Sequence, residues 1–394
     1  MTTSDDERKQ PDGLVHGMGN DLVVPDWPAI AAAEATEVLG HYVEDRSRTN
    51  VATILWRSPR PMSAAALVEL KSRTYFLKRH DVRVRSRERL ALEHAFVDHL
   101  RSRGLNTPAV LATPDGSTVY ERGRVLYEVY EQAAGVDRYR DVPSWHPFLS
   151  RAHAGAAGAA LARFHRAAAG FDAAPWGFGP LLDSVAVILA PDPEAAYRHL
   201  VTTRPGLVRA TATYDVLGDY ASVLAGPIES AASHLGDVAT QWTHGDWHGS
   251  NLTWRDATPQ ADVASVLDLG LSNRTFALHD LAVAIERSAI DWLDTAGVRA
   301  VTVDYGALDA LLDGYDGIIT LTDDDLATLG AVLPIAHVEF ALSEVEYFGG
   351  VLDSSANVEL AYRSYLLGHV EWFDSPTGTA LRSHLGAGRA RQRA

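Results

Sequence analysis

Between residues 243 and 251 the chain reads Thr-His-Gly-Asp-Trp-His-Gly-Ser-Asn, and further on a short apolar run ends in Asp268-Leu269-Gly270. A histidine, an aspartate and an asparagine thus fall in the order His-x-Asp-x-x-x-x-Asn, with a second acid behind them. The chemistry that needs such a set is phosphoryl transfer from a nucleotide. Its loose transition state asks little covalent help of a protein. It needs a carboxylate to orient and deprotonate an acceptor hydroxyl, and oxygen ligands to hold Mg²⁺ on the phosphates. Asp246 is the expected orienting base. Asn251 and Asp268 are the expected metal ligands, because Mg²⁺ takes a few protein oxygens and otherwise phosphates and water. The bland alternative is an accidental polar turn between strands, and two motifs in this order and at this separation weigh against it.

The elements that must position these residues are readable around them. Residues 252–254 are strand-like, 255–262 form a polar turn, and 263–267 are a second strand-like run. Upstream, a helix is predicted from Pro28 to Leu39 with a stop at Gly40. Strands follow at 53–56, 65–70 and 74–78, an antiparallel meander with turns at 58–63 and 71–73. Residues 86–103 have the apolar stripe Leu90, Leu92, Ala95, Phe96 and Leu100, and Gly104 as a stop, which predicts a helix. Two more strands, 118–120 and 125–130, flank Arg122-Gly123. An alanine-rich helix is predicted over 146–169. Its His153 and His165 are read as polar helix faces rather than ligands. Beyond Asp268, helices are predicted at 276–293, 305–315, 323–349 with a break at Pro334, and 355–373. Residues 1–25 are read as a poorly ordered leader, and 386–394 as a basic, frayed end.

His244-Gly245-Asp246 through Asn251, with Asp268-Leu269-Gly270, resembles the catalytic and metal motifs of the aminoglycoside phosphotransferase and choline kinase family. The resemblance covers residues 53–293. It implies an α+β, two-lobed, protein-kinase-like fold, with a small antiparallel-sheet N-lobe and a larger, mostly helical C-lobe. The implied division is a leader and N-terminal helix over 1–40, an N-lobe over 41–132 and a C-lobe over 133–394. It further implies ATP or GTP as phosphate donor and Mg²⁺ as cofactor. Lys78 would pair with the α- and β-phosphates, fixed by Glu93, with Glu88 as competitor one turn earlier. The backbone of Glu131 to Ala133 would meet the adenine edge. The family reading makes His244 a buried hub of the catalytic loop and Asp280 its brace. One departure stands out: residues 58–63 carry prolines, not a glycine-rich phosphate loop. Either Ser63 and rigid geometry serve there, or the phosphates fall to Lys78 and magnesium.

Composition narrows the partners. The formal net charge of −16 makes a long polyanion such as a nucleic acid a poor partner. The absence of cysteine excludes disulfides, thiolate nucleophiles and Cys-ligated metals. The N-terminus lacks a signal-peptide pattern, and no run reads as long and apolar enough to span a bilayer, so a soluble cytoplasmic protein without a membrane partner is expected. The basic stretch 71–89 is either a solvated face or a positive field around a triphosphate. Glu339, Glu344 and Glu346 are either a solvated helix face or an acidic wall for a cationic acceptor. The expected acceptor is a small-molecule hydroxyl, as in an aminoglycoside, amino sugar or amino alcohol. A Ser or Thr of a peptide and a catalytically inactive nucleotide-binding scaffold are the rivals. The sequence leaves the acceptor, the purine and the oligomeric state open.

Overall fold

The computed structural model describes residues 14–16, 22–43, 50–292 and 301–388. The chain divides into two compact units, one of residues 1–82, 110–132 and 293–300, the other of 83–109, 133–292 and 301–394.

The smaller unit is built on a five-stranded antiparallel sheet. Its strands are β1 (Thr53–Arg57), β2 (Ala64–Leu70), β3 (Arg73–Asp81), β4 (Tyr120–Arg122) and β5 (Val125–Glu131), in spatial order β1-β2-β3-β5-β4. Helix α1 (Ala32–Tyr42) packs on it through Ala35, Val38 and Leu39, which join Ala66, Val68, Leu77, Tyr127 and Val129 in one core. The helix runs past the expected stop at Gly40. Tyr42 explains this: it is buried, and its hydroxyl donates to the Tyr127 carbonyl at 3.0 Å. That burial offsets the roughly 1 kcal/mol a glycine costs in a helix. The expected leader is in part ordered. Val15–His16 pairs with Leu22–Val23, and the amides of His16 and Asp26 donate to the carbonyls of Pro59 and Pro61. Residues 1–13 lie outside the described residues.

Besides the ribbon of Ile290–Asp291 with Thr302–Val303, the larger unit holds two short antiparallel ribbons. One pairs β6 (Gln241–Thr243) with β9 (Asn273–Thr275), the other β7 (Leu252–Trp254) with β8 (Val263–Val266). Around them pack α2 (Arg87–Ser102), α3 (Arg151–Ala168), α4 (Ala277–Ala289), α5 (Tyr305–Asp316), α6 (Asp323–Val332) and α7 (Val338–Glu346). Helix α2 belongs here rather than with the sheet, a difference from the expected span 41–132. Phe96 explains it, packing edge-on against Phe164 of α3 and tilted against Trp242 of β6. Helices α3 and α5 approach closely because α3 carries glycine where they cross. A Cβ on Gly158 would lie 1.9 Å from the Leu311 carbonyl oxygen.

Pro334 falls in a 3₁₀ turn between α6 and α7, as its missing N–H requires. Yet the helical stretch Asp323–Val351 does reach bilayer length, with 29 residues and a mean hydropathy of 1.5 over its most apolar window. The expectation that no run is long and apolar enough is therefore wrong on length and composition. Burial accounts for the apolarity, since 78% of that window is inside the protein.

Candidate active site

The loop between β6 and β7 carries the first motif, and the turn between β8 and β9 carries the second. The two ribbons therefore deliver both to one place. The Asn251 carbonyl accepts from the Leu267 amide at 2.8 Å, which ties the end of one motif to the residue before Asp268. The His244 ring bridges the same gap. Its Nε2 donates to the Leu267 carbonyl at 2.9 Å, and its Nδ1 accepts from the Asp246 amide at 3.2 Å. Those two bonds fix the neutral tautomer, and burial pushes the His244 pKa down in the same sense.

The loop is braced from α4. Asp280 accepts from the amides of His244 and Gly245, each at 2.9 Å, and from His165 Nε2 at 2.9 Å. Gly245 sits at φ +74°, and a Cβ there would lie 2.5 Å from the Leu271 carbonyl oxygen, so only glycine fits the turn. His165 and His153 are not polar surface positions as expected. His165 also meets the Tyr315 hydroxyl at 2.8 Å, and His153 lies between the Tyr139 hydroxyl and the Thr258 carbonyl, both rings fully inside. Each of these two rings is hydrogen-bonded at both nitrogens, and periodicity alone cannot show that.

Asp246 itself is partly exposed, its side chain 19% accessible. Asn251 Nδ2 donates to its Oδ2 at 2.9 Å and to its main-chain carbonyl at 2.9 Å. Oδ1 accepts from Arg287, with His248 Nε2 at 3.3 Å and Trp145 Nε1 at 3.4 Å. Burial alone would raise the carboxyl pKa, but Arg287, His248 and His244 together hold it well below the usual carboxylate range. The carboxylate is therefore ionised, fixed at one oxygen by a cation and at the other by an amide.

Arg287 and Trp145 have no role in the sequence reading. The Arg287 guanidinium lies 4.8 Å from the Trp145 ring and 4.9 Å from the Phe340 ring. A signal for Arg287 did exist. It stands seven residues after Asp280, two turns along the helix and on the same face. Trp145 carried none, since it belongs to an irregular segment and sits at φ +62°.

The Asn251 side chain gives its nitrogen to Asp246, which leaves its oxygen as the atom a hard cation would use. Asp268 is exposed, at φ +52°, with Oδ1 accepting from the Gly270 amide at 3.3 Å. A carboxamide oxygen and an accessible carboxylate on adjoining turns are the donor types Mg²⁺ takes. The basic stretch supplies part of this support rather than a solvated face. Arg89 is buried and donates to the carbonyls of Leu181 and Gly270 at 3.0 and 3.1 Å.

The other sequence-derived positions lie as follows. Glu93 is buried in α2 and Glu88 is exposed. In the smaller unit, Lys78 is buried in β3, in register with Ala65 on one side and Glu128 on the other. Ser63 stands half-buried just ahead of β2, Glu131 is the exposed last residue of β5, and Ala133 follows at the first position of the larger unit. The turn before Ser63 is held by the two prolines and by the amides of His16 and Asp26, not by glycines.

The acidic residues 339, 344 and 346 are neither a solvated face nor a wall. All three are buried. Glu339 accepts from the amides of Ala186, Val187 and Ile188 at 2.8–3.2 Å, and Glu346 forms two 2.9 Å bonds with Arg204. Glu344 faces His337 at 3.6 Å.

Residues 63–318 match the model of the phosphotransferase enzyme family. The chain belongs to that family. No curated protein matches it. Among solved structures, it is similar to a microcompartment-associated aminopropanol kinase, with a TM-score of 0.59 and 18% identity over 88% of this chain and 99% of that one. It is also similar to an aminoglycoside phosphotransferase from Alicyclobacillus acidocaldarius, with a TM-score of 0.48 and 16% identity over 90% of this chain and 94% of that one. The fold is thus the α+β, protein-kinase-like fold of these phosphotransferases. As a phosphotransferase, the chain uses a hydroxyl group as its acceptor.

Proposed function

We propose that this phosphotransferase moves the γ-phosphoryl group of ATP or GTP to a hydroxyl of a small molecule. Asp246 is the residue that orients the acceptor hydroxyl and takes its proton. Asn251 and Asp268 are the ligands for Mg²⁺, which when bound neutralises charge on the phosphates. Lys78 and Glu93 are assigned to donor binding, Ser63 to the phosphate-facing turn, and Glu131 to Ala133 to the purine.

The observation that carries this reading is the pair of hydrogen bonds that Asn251 donates to Asp246 together with the tie from Asn251 to Leu267. It makes base and metal-ligand positions one rigid assembly, and a positioned base in phosphoryl transfer acts chiefly by orientation. The low Asp246 pKa supports the same role. A weakly basic carboxylate suits a step in which the proton leaves late, after the metaphosphate-like group has begun to transfer. The small-molecule class rests on the family, whose relatives include an aminopropanol kinase and an aminoglycoside phosphotransferase. A cationic acceptor finds no acidic wall in Glu339 or Glu346, because both carboxylates are committed within the fold.

A nucleotide-consumption screen tests this. The panel is aminoglycosides, amino sugars, amino alcohols and Ser/Thr peptides, each with ATP or GTP and Mg²⁺. At least one small hydroxyl compound should raise consumption above the acceptor-free rate and appear phosphorylated by mass. Stimulation by peptides alone would overturn the small-molecule assignment, and no stimulation by any member would favour the inactive scaffold.

A further inference from the structure

Glu286 of α4, His337 just ahead of α7, and His369 of the later helix His369–Trp372 meet inside the larger unit. Glu286 Oε1 lies 3.2 Å from His369 Nδ1 and 3.7 Å from His337 Nδ1. One donor atom from each residue lies within 4.8 Å of the other two. All three residues are at most 6% exposed. None of the three atoms makes a hydrogen bond. Orphaned buried polar atoms are costly, and a well-formed protein has few. Three that converge on one point call for a common partner.

We propose that Glu286, His337 and His369 bind a divalent transition-metal ion, with Zn²⁺ the best match. A proton shared between two of these atoms leaves the third unmet, whereas a cation takes a lone pair from each. Tetrahedral bonds of about 2.0–2.2 Å place neighbouring ligand atoms roughly 3.2–3.6 Å apart, close to the separations found here. Two neutral imidazoles and one carboxylate suit Zn²⁺, Co²⁺ or Ni²⁺, not the hard, oxygen-seeking Mg²⁺.

The surroundings fit as well. His337 Nε2, the nitrogen left over when Nδ1 binds metal, faces Glu344 Oε2 at 3.6 Å, and both atoms otherwise lack partners. A carboxylate behind a ligating histidine fixes its tautomer and raises its basicity. The His369 ring stacks on Trp292 at 3.8 Å with a 15° tilt, and the rings of Trp145, Phe340 and Tyr365 close around His337. The metal would also neutralise Glu286, whose Oε2 lies 3.8 Å from Arg287 Nε, leaving the guanidinium directed at Asp246.

The test uses the full chain, stripped with chelator and then held in excess Mg²⁺ so that oxygen sites are filled. Titration with Co²⁺ should give one equivalent bound, with the intense visible absorption of a four- or five-coordinate nitrogen-ligated ion. Zn²⁺ should displace it and raise the melting temperature. The double variant His337→Gln/His369→Gln should lose the absorption. Glu344→Gln, which removes no ligand, should keep it with affinity lowered about 10–100-fold. A wild-type spectrum no stronger than that of hydrated Co²⁺, without a Zn²⁺-dependent melting shift, would overturn the proposal, even where the double variant does not fold. Neither outcome depends on finding an acceptor, so this site and the phosphoryl-transfer reading stand or fall separately.

Discussion

Asp246 owes its charge state in part to a neighbour that the motif itself does not contain. The motif supplies the carboxylate, Asn251 and His248, while α4 supplies Arg287. Take away Arg287 and the effect of burial on the Asp246 carboxyl loses its largest opponent, leaving His248 and His244. Its pKa then rises, and protonation disables the base at higher pH than before. Arg287→Ala is therefore expected to bring an acid limb into the pH dependence of kcat, absent or further acidic in the native protein. Arg287→Lys, which keeps the charge but loses the planar fork, should lie between them. Profiles of kcat against pH at saturating substrates decide this, and superimposable curves for native and Arg287→Ala protein would remove Arg287 from its positioning role.

At the level of the element, the site depends on how two ribbons and their helices pack. Helices α3 and α5 approach where Gly158 faces the Leu311 carbonyl. Adding even a methyl group forces the backbones apart. Gly158→Ala is expected to destabilise the protein by about 1–3 kcal/mol, as overpacking does, despite the better helix propensity of alanine. Urea denaturation midpoints measure it, and an unchanged or raised midpoint would contradict the close approach.

Legibility in the sequence divides along the same line. The strands of the small sheet show in the alternation of apolar residues and the turn residues between them, and Pro334 marks its own turn. That Asp246, Asn251 and Asp268 fall in adjoining turns beside strands is readable because each lies in a short loop. Long-range burial is not recoverable. His153, His165, Glu339 and Glu346 read as polar faces, yet each is paired inside with a residue far along the chain. Residues 171–237 are weakly patterned in the sequence, yet they hold helices at Pro193–Thr203, Pro205–Ala210 and Ala225–Leu235.

For the molecule as a whole, the proposed work is divided between the units. Lys78 and Ser63 belong to the smaller, and Glu93, Asp246, Asn251 and Asp268 to the larger. Donor binding and transfer are thus separable properties, because the proposed base acts on the acceptor and not on the nucleotide. The most direct measurement is phosphoryl transfer by Asp246→Ala, with nucleotide affinity determined on the same preparation. Transfer should fall by about 10²–10⁴-fold while the nucleotide dissociation constant with Mg²⁺ stays within a few-fold of native. Full turnover in Asp246→Ala would contradict the account.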